Sequence, residues 1–173
     1  MNEFVREKGG MLNLFFKKQK TDGKRILSPV TGKCVDLSNV PDPMFANKIM
    51  GEGVAFIFEE DTIYSPCNGN IEAIASTNHA FGFICENGLE LLLHVGVDTV
   101  KLGGKGFTPL VSKDQKVHIG TPLLKIDREF MEENGVNLIT SMVVTNHLSF
   151  NIEIVGIDTF VEKAKSEIIR VNI

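Results

Sequence analysis

The chain is short of cysteine, of net positive charge, of long apolar runs and of helical periodicity, and each shortage removes a class of protein. Three cysteines, Cys34, Cys67 and Cys85, cannot pair completely and show no CxxC spacing, so neither a disulfide framework nor a structural zinc site is indicated. A reducing cytoplasm is the simplest setting. Lysine and arginine number 18 against 22 acidic residues, a net charge of −4, and the lysines beyond the first 25 residues are scattered. That is no basic field for nucleic acid. No apolar run approaches the roughly 18 residues of a membrane span, and no charged start leads into a signal-peptide core and cleavage site. The reading is neither integral nor secreted.

What is present suits one domain with a real core: 173 residues, 43% hydrophobic and 23% charged. The domain is expected over residues 23–173, behind a flexible N-terminal arm of residues 1–22. In that arm Met11, Leu12, Leu14, Phe15 and Phe16 run directly into Lys17, Lys18 and Lys20. Such a segment could make weak contact with an anionic membrane surface or pack loosely on the domain, and Met11 is a candidate natural start.

From Gly23 onward short β-type runs are broken by Gly, Pro, Asn and Asp, as in RILSPVTGKCVDL, IYSPCNGNIEAI, QKVHIGTPLLKI, NLITSMVVTN and SFNIEIVG. This texture predicts an all-β fold, an antiparallel β-sandwich or barrel-like structure with a few short helical turns. Ser28-Pro29-x-x-Gly32 recurs as Ser65-Pro66-x-x-Gly69, which hints at a duplicated strand motif. MFANKIM (44–50), behind an Asp42 that could cap it, predicts two helical turns, and REFMEENG (128–135) another ending at glycine.

His79 and His94 flank Asn87-Gly88, a dipeptide suited to a two-residue type I′ hairpin. That turn predicts Phe83 opposite Leu92, Phe81 opposite His94 and His79 opposite Gly96. His79, Phe81, Phe83, Leu92 and His94 then share one face, with Ala80, Ile84, Leu91, Leu93 and Val95 on the core face. The histidines become diagonal neighbours with Cβ atoms about 7 to 8 Å apart. His118 and His147 lack such a companion and read as structural or exposed.

Two facing imidazoles have several chemistries open. A neutral ring can accept a phosphoryl group while its neighbour stabilises the equatorial oxygens, and a proton can be exchanged. Zinc at His79 and His94 would need a further ligand, from Asp98 or across an interface. No serine or cysteine lies in a nucleophile elbow. Phe81, Phe83 and Leu92 beside the pair suit a protein-docking centre, although Phe83 and Leu92 serve equally as packing in a two-sheet sandwich.

TNHAF (77–81) and LLLHVGVDTVKLGGKGF (91–107) closely resemble signature stretches of the glucose-family IIA component of the bacterial phosphoenolpyruvate-dependent sugar phosphotransferase system. The resemblance extends to VPDPMFANKIMGEGVAF, IYSPCNGNI, QKVHIGTPLLKID and MVVTN, and so covers nearly everything after Gly23. It implies a phosphocarrier in which His94 is the phosphorylated nucleophile, through its Nε2 atom, His79 the phosphoryl stabiliser and Thr77 the residue that orients the histidines. Asp42 and Asp98 match acidic residues bordering the site, while Met44, Phe45 and Leu92, with Phe81 from the strand reading, make up the docking rim. Departures at Pro43-Met44 and at Leu92 bear on partner preference rather than chemistry. The resemblance further implies HPr as donor, a cysteine of a IIB domain of a membrane permease as acceptor, no cofactor, and a free-standing cytoplasmic protein with a further role in phosphorylation-dependent regulation of sugar metabolism.

Overall fold

Many of the punctuated β-runs become short strands because a glycine, proline or capping side chain turns the backbone at or near their ends. The structure, a computed structural model, describes residues 24–172. The arm of residues 1–22, and every expectation attached to it, lies outside the described residues. Strands numbered in chain order form an open eight-stranded sheet in the order β13 (Phe160–Val161), β2 (Gly32–Asp36), β3 (Glu52–Phe58), β11 (Thr140–Val144), β7 (Glu90–Val95), β6 (Ala80–Cys85), β5 (Gly69–Ile74) and β9 (Lys116–Val117). Two three-stranded sheets accompany it: β1 (Arg25–Leu27), β14 (Glu167–Asn172) and β12 (Asn151–Ile154); and β4 (Thr62–Tyr64), β10 (Pro122–Ile126) and β8 (Phe107–Pro109). Every pairing is antiparallel, as expected, but no sheet closes into a barrel. Among the described residues no helix is long and apolar enough to cross a membrane.

The Ser-Pro-x-x-Gly repeat is a structural duplication. Gly32 pairs with Phe58 and Val161, and Gly69 pairs with Cys85 and Val117. Ser28 Oγ donates to the Val30 carbonyl at 2.7 Å, and Ser65 Oγ to that of Cys67 at 2.8 Å. The copies also clasp each other: the Leu27 amide donates to the Pro66 carbonyl and the Tyr64 amide to that of Pro29, both at 2.9 Å.

Alternation gives the large sheet two unlike faces. Val54, Phe56, Phe81, Phe83, Leu91, Leu93 and Met142 point inward, where Ile26, Leu124 and Ile169 of the small sheets join them in the main core. The outer face carries a second, smaller cluster, in which Val35, Ala55 and Val143 meet Leu37, Val40, Phe45 and Ile139. The strands must approach closely for this. A Cβ at Gly53 would stand 2.0 Å from the Met142 carbonyl oxygen and 2.8 Å from Val143 Cα. Backbone atoms in a central strand cannot step aside, so Gly53→Ala is expected to destabilise the fold by about 3 kcal/mol, read as a lowered urea midpoint.

The helical expectations shrink. The first helix spans only Pro43–Ala46, with Asp42 accepting from the Met44 amide at 3.0 Å, because Lys48 turns to φ 56. The second spans Arg128–Glu133, capped by the Asp127 carboxylate at the Phe130 amide, and is followed by Gly135 at φ 63.

Candidate functional site

The turn that joins β6 to β7 decides which side chains surround the histidines. It has three residues, not two: Cys85 faces Leu89, the Gly88 amide donates to the Cys85 carbonyl at 2.9 Å, and only Gly88 takes positive φ, at 88. Asn87 serves differently, its side chain accepting from the Leu89 amide at 3.0 Å. This is a type I turn closed by a left-handed glycine. The extra residue slips the register by one, so Phe81 pairs with Leu93, Phe83 with Leu91, Gly82 with Leu92 and Ala80 with His94. A one-residue slip reverses the faces of one strand relative to its partner, here those of β6 against β7. Phe81 and Phe83 are therefore core residues, 0% and 1% exposed, and Phe81 is no part of a docking rim. Leu92 and His94 lie on the outer face with Gly82 and, against expectation, with Ala80 and the 41% exposed Ile84, while Leu91, Leu93 and Val95 are core, as expected.

The histidines nevertheless meet. Their ring centroids are 4.9 Å apart and their planes cross at 82°. His79 lies just before β6, directly after Asn78 at φ 59, and that left-handed residue lifts it out of strict strand alternation. It stays anchored by its own carbonyl, which accepts from the Val95 amide at 2.7 Å. Thr77 Oγ1 is hydrogen-bonded to His79 Nδ1 at 2.6 Å, fixing that ring and leaving Nε2 as the nitrogen still available. Behind His94 the chain turns at Gly96, φ 77, where a Cβ would strike Thr99 Cγ2 at 2.5 Å; Thr99 Oγ1 in turn donates to the Val95 carbonyl.

Around the pair the outer cluster makes an apolar bed. Phe45 packs on His94 with ring centroids 4.9 Å apart at 45°. Met44, on the same short helix, is 43% exposed, and Leu92 lies half-buried beside the cluster. Ser141 is the cross-strand partner of His94, and Val143 that of Leu92. These neighbours, with Ala80, Gly82 and Val97, were not expected from the sequence, which carries no signal for which strand β7 meets on its other side. Asp42 acts on His94 electrostatically, whereas Asp98, left-handed at φ 56 and exposed, pairs with Lys101 at 3.3 Å. His118 and His147 stand apart from the pair, His147 Nδ1 lying 3.2 Å from the Val144 carbonyl.

Burial lowers the basicity of both rings. Desolvation holds the His79 pKa below the usual imidazole value. For His94 desolvation acts first and the neighbouring His79 adds to it, against opposing contributions from the Gly96 backbone and the Asp42 carboxylate. Two neutral imidazoles, one free to attack and one free to donate an N–H, are thereby kept at neutral pH. The sign for stability follows: unfolded rings take up protons near pH 6.5 while the folded rings resist, so stability is full above that pH and falls as the medium is acidified through the lower folded values. Urea unfolding at pH 7.5 and pH 5.5 checks this, and His79→Gln is expected to shrink the difference.

Among the described residues no group of three or more His, Cys, Asp or Glu side chains is placed to hold a metal ion. A zinc ion at His79 and His94 would need its remaining ligands from another chain.

Residues 24–150 match the family described as phosphoenolpyruvate-dependent sugar phosphotransferase system, EIIA 1. The chain is 42% identical over 134 residues to a PTS system glucose-specific EIIA component of Staphylococcus epidermidis, covering 77% of this chain and 81% of that one. It is 42% identical over 132 residues to a PTS system glucoside-specific EIICBA component of Staphylococcus carnosus, 76% of this chain but 19% of that much longer one. Among solved structures, glucose permease IIA from Mycoplasma capricolum superposes with a TM-score of 0.77 at 30% identity, covering 84% of this chain and 93% of that chain.

Proposed function

Since the chain belongs to the EIIA type 1 family of the phosphoenolpyruvate-dependent sugar phosphotransferase system, and so has a phosphocarrier role in it, we propose that His94 is the residue that carries the phosphoryl group. The lone pair of His94 Nε2 attacks the phosphorus of phosphohistidine on HPr; the N–P bond on HPr breaks as the N–P bond on His94 forms. In the second transfer a cysteine thiolate of a IIB domain attacks, the N–P bond opens and an S–P bond replaces it. No cofactor enters either step. His79, oriented by Thr77, donates an N–H to the equatorial oxygens, where charge gathers in a loose transition state. Phe45, Met44 and Leu92 exclude water around the reacting ring and supply the apolar centre on which HPr and IIB dock, with Asp42 and Asp98 at its border.

The observation that carries this reading is the edge-on contact of His79 and His94 on an outer sheet face lined with apolar side chains. One imidazole can receive the group while the other steadies it. The test is to incubate the protein with phosphoenolpyruvate, Enzyme I and HPr and to map the acid-labile phosphate by peptide mass spectrometry. Phosphate on the peptide containing His94 supports the reading, and phosphate confined to any other residue overturns it.

A further inference from the structure

His94 stands one residue from the end of β7, and the backbone just beyond it acts on the ring. The Gly96 backbone raises the basicity of that ring, as a carbonyl oxygen accepting from a ring N–H does and an amide N–H would not. Nδ1 is the ring nitrogen nearer the main chain, so it is the one a carbonyl two residues on can reach. A proton held there leaves the Nε2 lone pair free for attack.

That carbonyl needs an anchor. Gly96 takes positive φ and approaches Thr99 too closely for a side chain, but glycine also leaves the peptide that follows it free to turn over, which would carry the oxygen away from the ring. Thr99 Oγ1 secures only the preceding peptide, through the Val95 carbonyl at 2.6 Å. The Gly96–Val97 peptide is held from elsewhere: its N–H, on Val97, donates to the Asn137 carbonyl at 2.9 Å. No described peptide bond is cis, so C=O and N–H of this unit point in opposite directions. Fixing the N–H on Asn137 thereby aims the Gly96 oxygen the other way, at His94. The Asn137 carbonyl is set in turn by its own side chain, whose Oδ1 accepts from the Ile139 amide at 3.0 Å and closes an Asx turn. Thr140 Oγ1 braces the same turn by donating to the Leu138 carbonyl at 2.9 Å, where the chain enters β11 and Thr140 pairs with Val95. Asn137 is exposed, so its side chain serves the turn rather than the core.

We propose that Asn137 is a positioning residue for His94: its side chain holds the turn whose carbonyl fixes the Gly96–Val97 peptide, and that peptide keeps the ring proton on Nδ1. The proposal rests on the phosphoryl reading for its effect on rate only. Where the ring proton sits is read with no phosphoryl donor present.

Long-range proton–nitrogen correlation spectra of the full chain at about pH 8.5, well above the usual imidazole range, show which nitrogen of His94 carries the proton. In the unaltered chain it is expected on Nδ1. Asn137→Ala should give a mixture of the two tautomers and slow phosphorylation by HPr about 3- to 10-fold, the worth of one neutral hydrogen bond, with KM for HPr unchanged. Asn137→Asp keeps the acceptor of the Asx turn and should restore both. A proton on Nε2 in the unaltered chain overturns the proposal, and so does Asn137→Ala with an unmoved tautomer. A lowered urea midpoint beside that unmoved tautomer would make Asn137 a residue of the fold alone. If the tautomer shifts as expected while the phosphate maps to another residue, Asn137 still positions the ring and it is the phosphoryl reading that fails.

Discussion

His94→Ala is expected to accept no label from phosphoenolpyruvate, Enzyme I and HPr, while remaining folded. The loss should be complete because the ring is the group that forms the bond, and nothing near it replaces that nitrogen. Thr77, Ser141 and Asp42 supply only oxygens, and His79 has one nitrogen engaged by Thr77 at 2.6 Å. The position tolerates truncation, since the side chain lies half-buried on the outer face rather than in the main core. Heteronuclear NMR establishes the fold of the variant beside the labelling assay. Full labelling of His94→Ala would remove His94 from the reaction.

His79→Ala is the second large effect, and its form differs. A donor aimed at charge that develops in the transition state typically contributes about 10² to 10³ in rate, so the variant is expected to retain slow phosphorylation and to pass the group on more slowly by a factor of that order. Stopped-flow transfer to a IIB domain measures it. His79→Gln should recover part of the loss, because a side-chain amide also presents an N–H. An onward rate equal to that of the unaltered protein would exclude His79 from the chemistry. The same substitutions should raise the pKa of His94, since the neighbouring ring is one of the causes that lower it.

Much of this site was legible in the sequence, but part of it for a reason the structure corrects. The Asn87-Gly88 dipeptide marks the hairpin, yet it suits both a two-residue turn and a three-residue turn with the glycine last. The Asn87 side chain, accepting from the Leu89 amide, belongs to the longer one. The register derived from the shorter turn placed Phe81 and Phe83 beside His94, and the structure puts both in the core. The histidine contact survived because a second local departure restored it: Asn78 at φ 59 takes His79 out of the alternation that would otherwise turn it into the main core with Phe81. Local turn chemistry was thus readable in kind but not in length. Cross-strand company was not readable at all, since nothing in Thr140–Val144 says that it lies beside Glu90–Val95 and thereby puts Ser141 next to His94. The antiparallel β class and the duplicated motif were readable, because alternation, punctuation and a repeated Ser-Pro-x-x-Gly are properties of the chain itself. Both glycines of that repeat are required: a Cβ at either would stand 2.3 Å from a partner-strand carbonyl oxygen, that of Ile57 or Ile84.

The reciprocal clasp between the two copies bears on how the molecule comes into being. The Leu27 amide is satisfied by the Pro66 carbonyl and the Tyr64 amide by the Pro29 carbonyl, so each copy holds a donor and an acceptor that only the other completes. A nascent chain that has exposed only the first copy carries buried-to-be polar groups with no partner and half an apolar interior, and neither can close until the second has been synthesised. Assembly is consequently a late and concerted event governed by contacts distant in sequence, the topology that folds slowly and, once closed, opens as a whole.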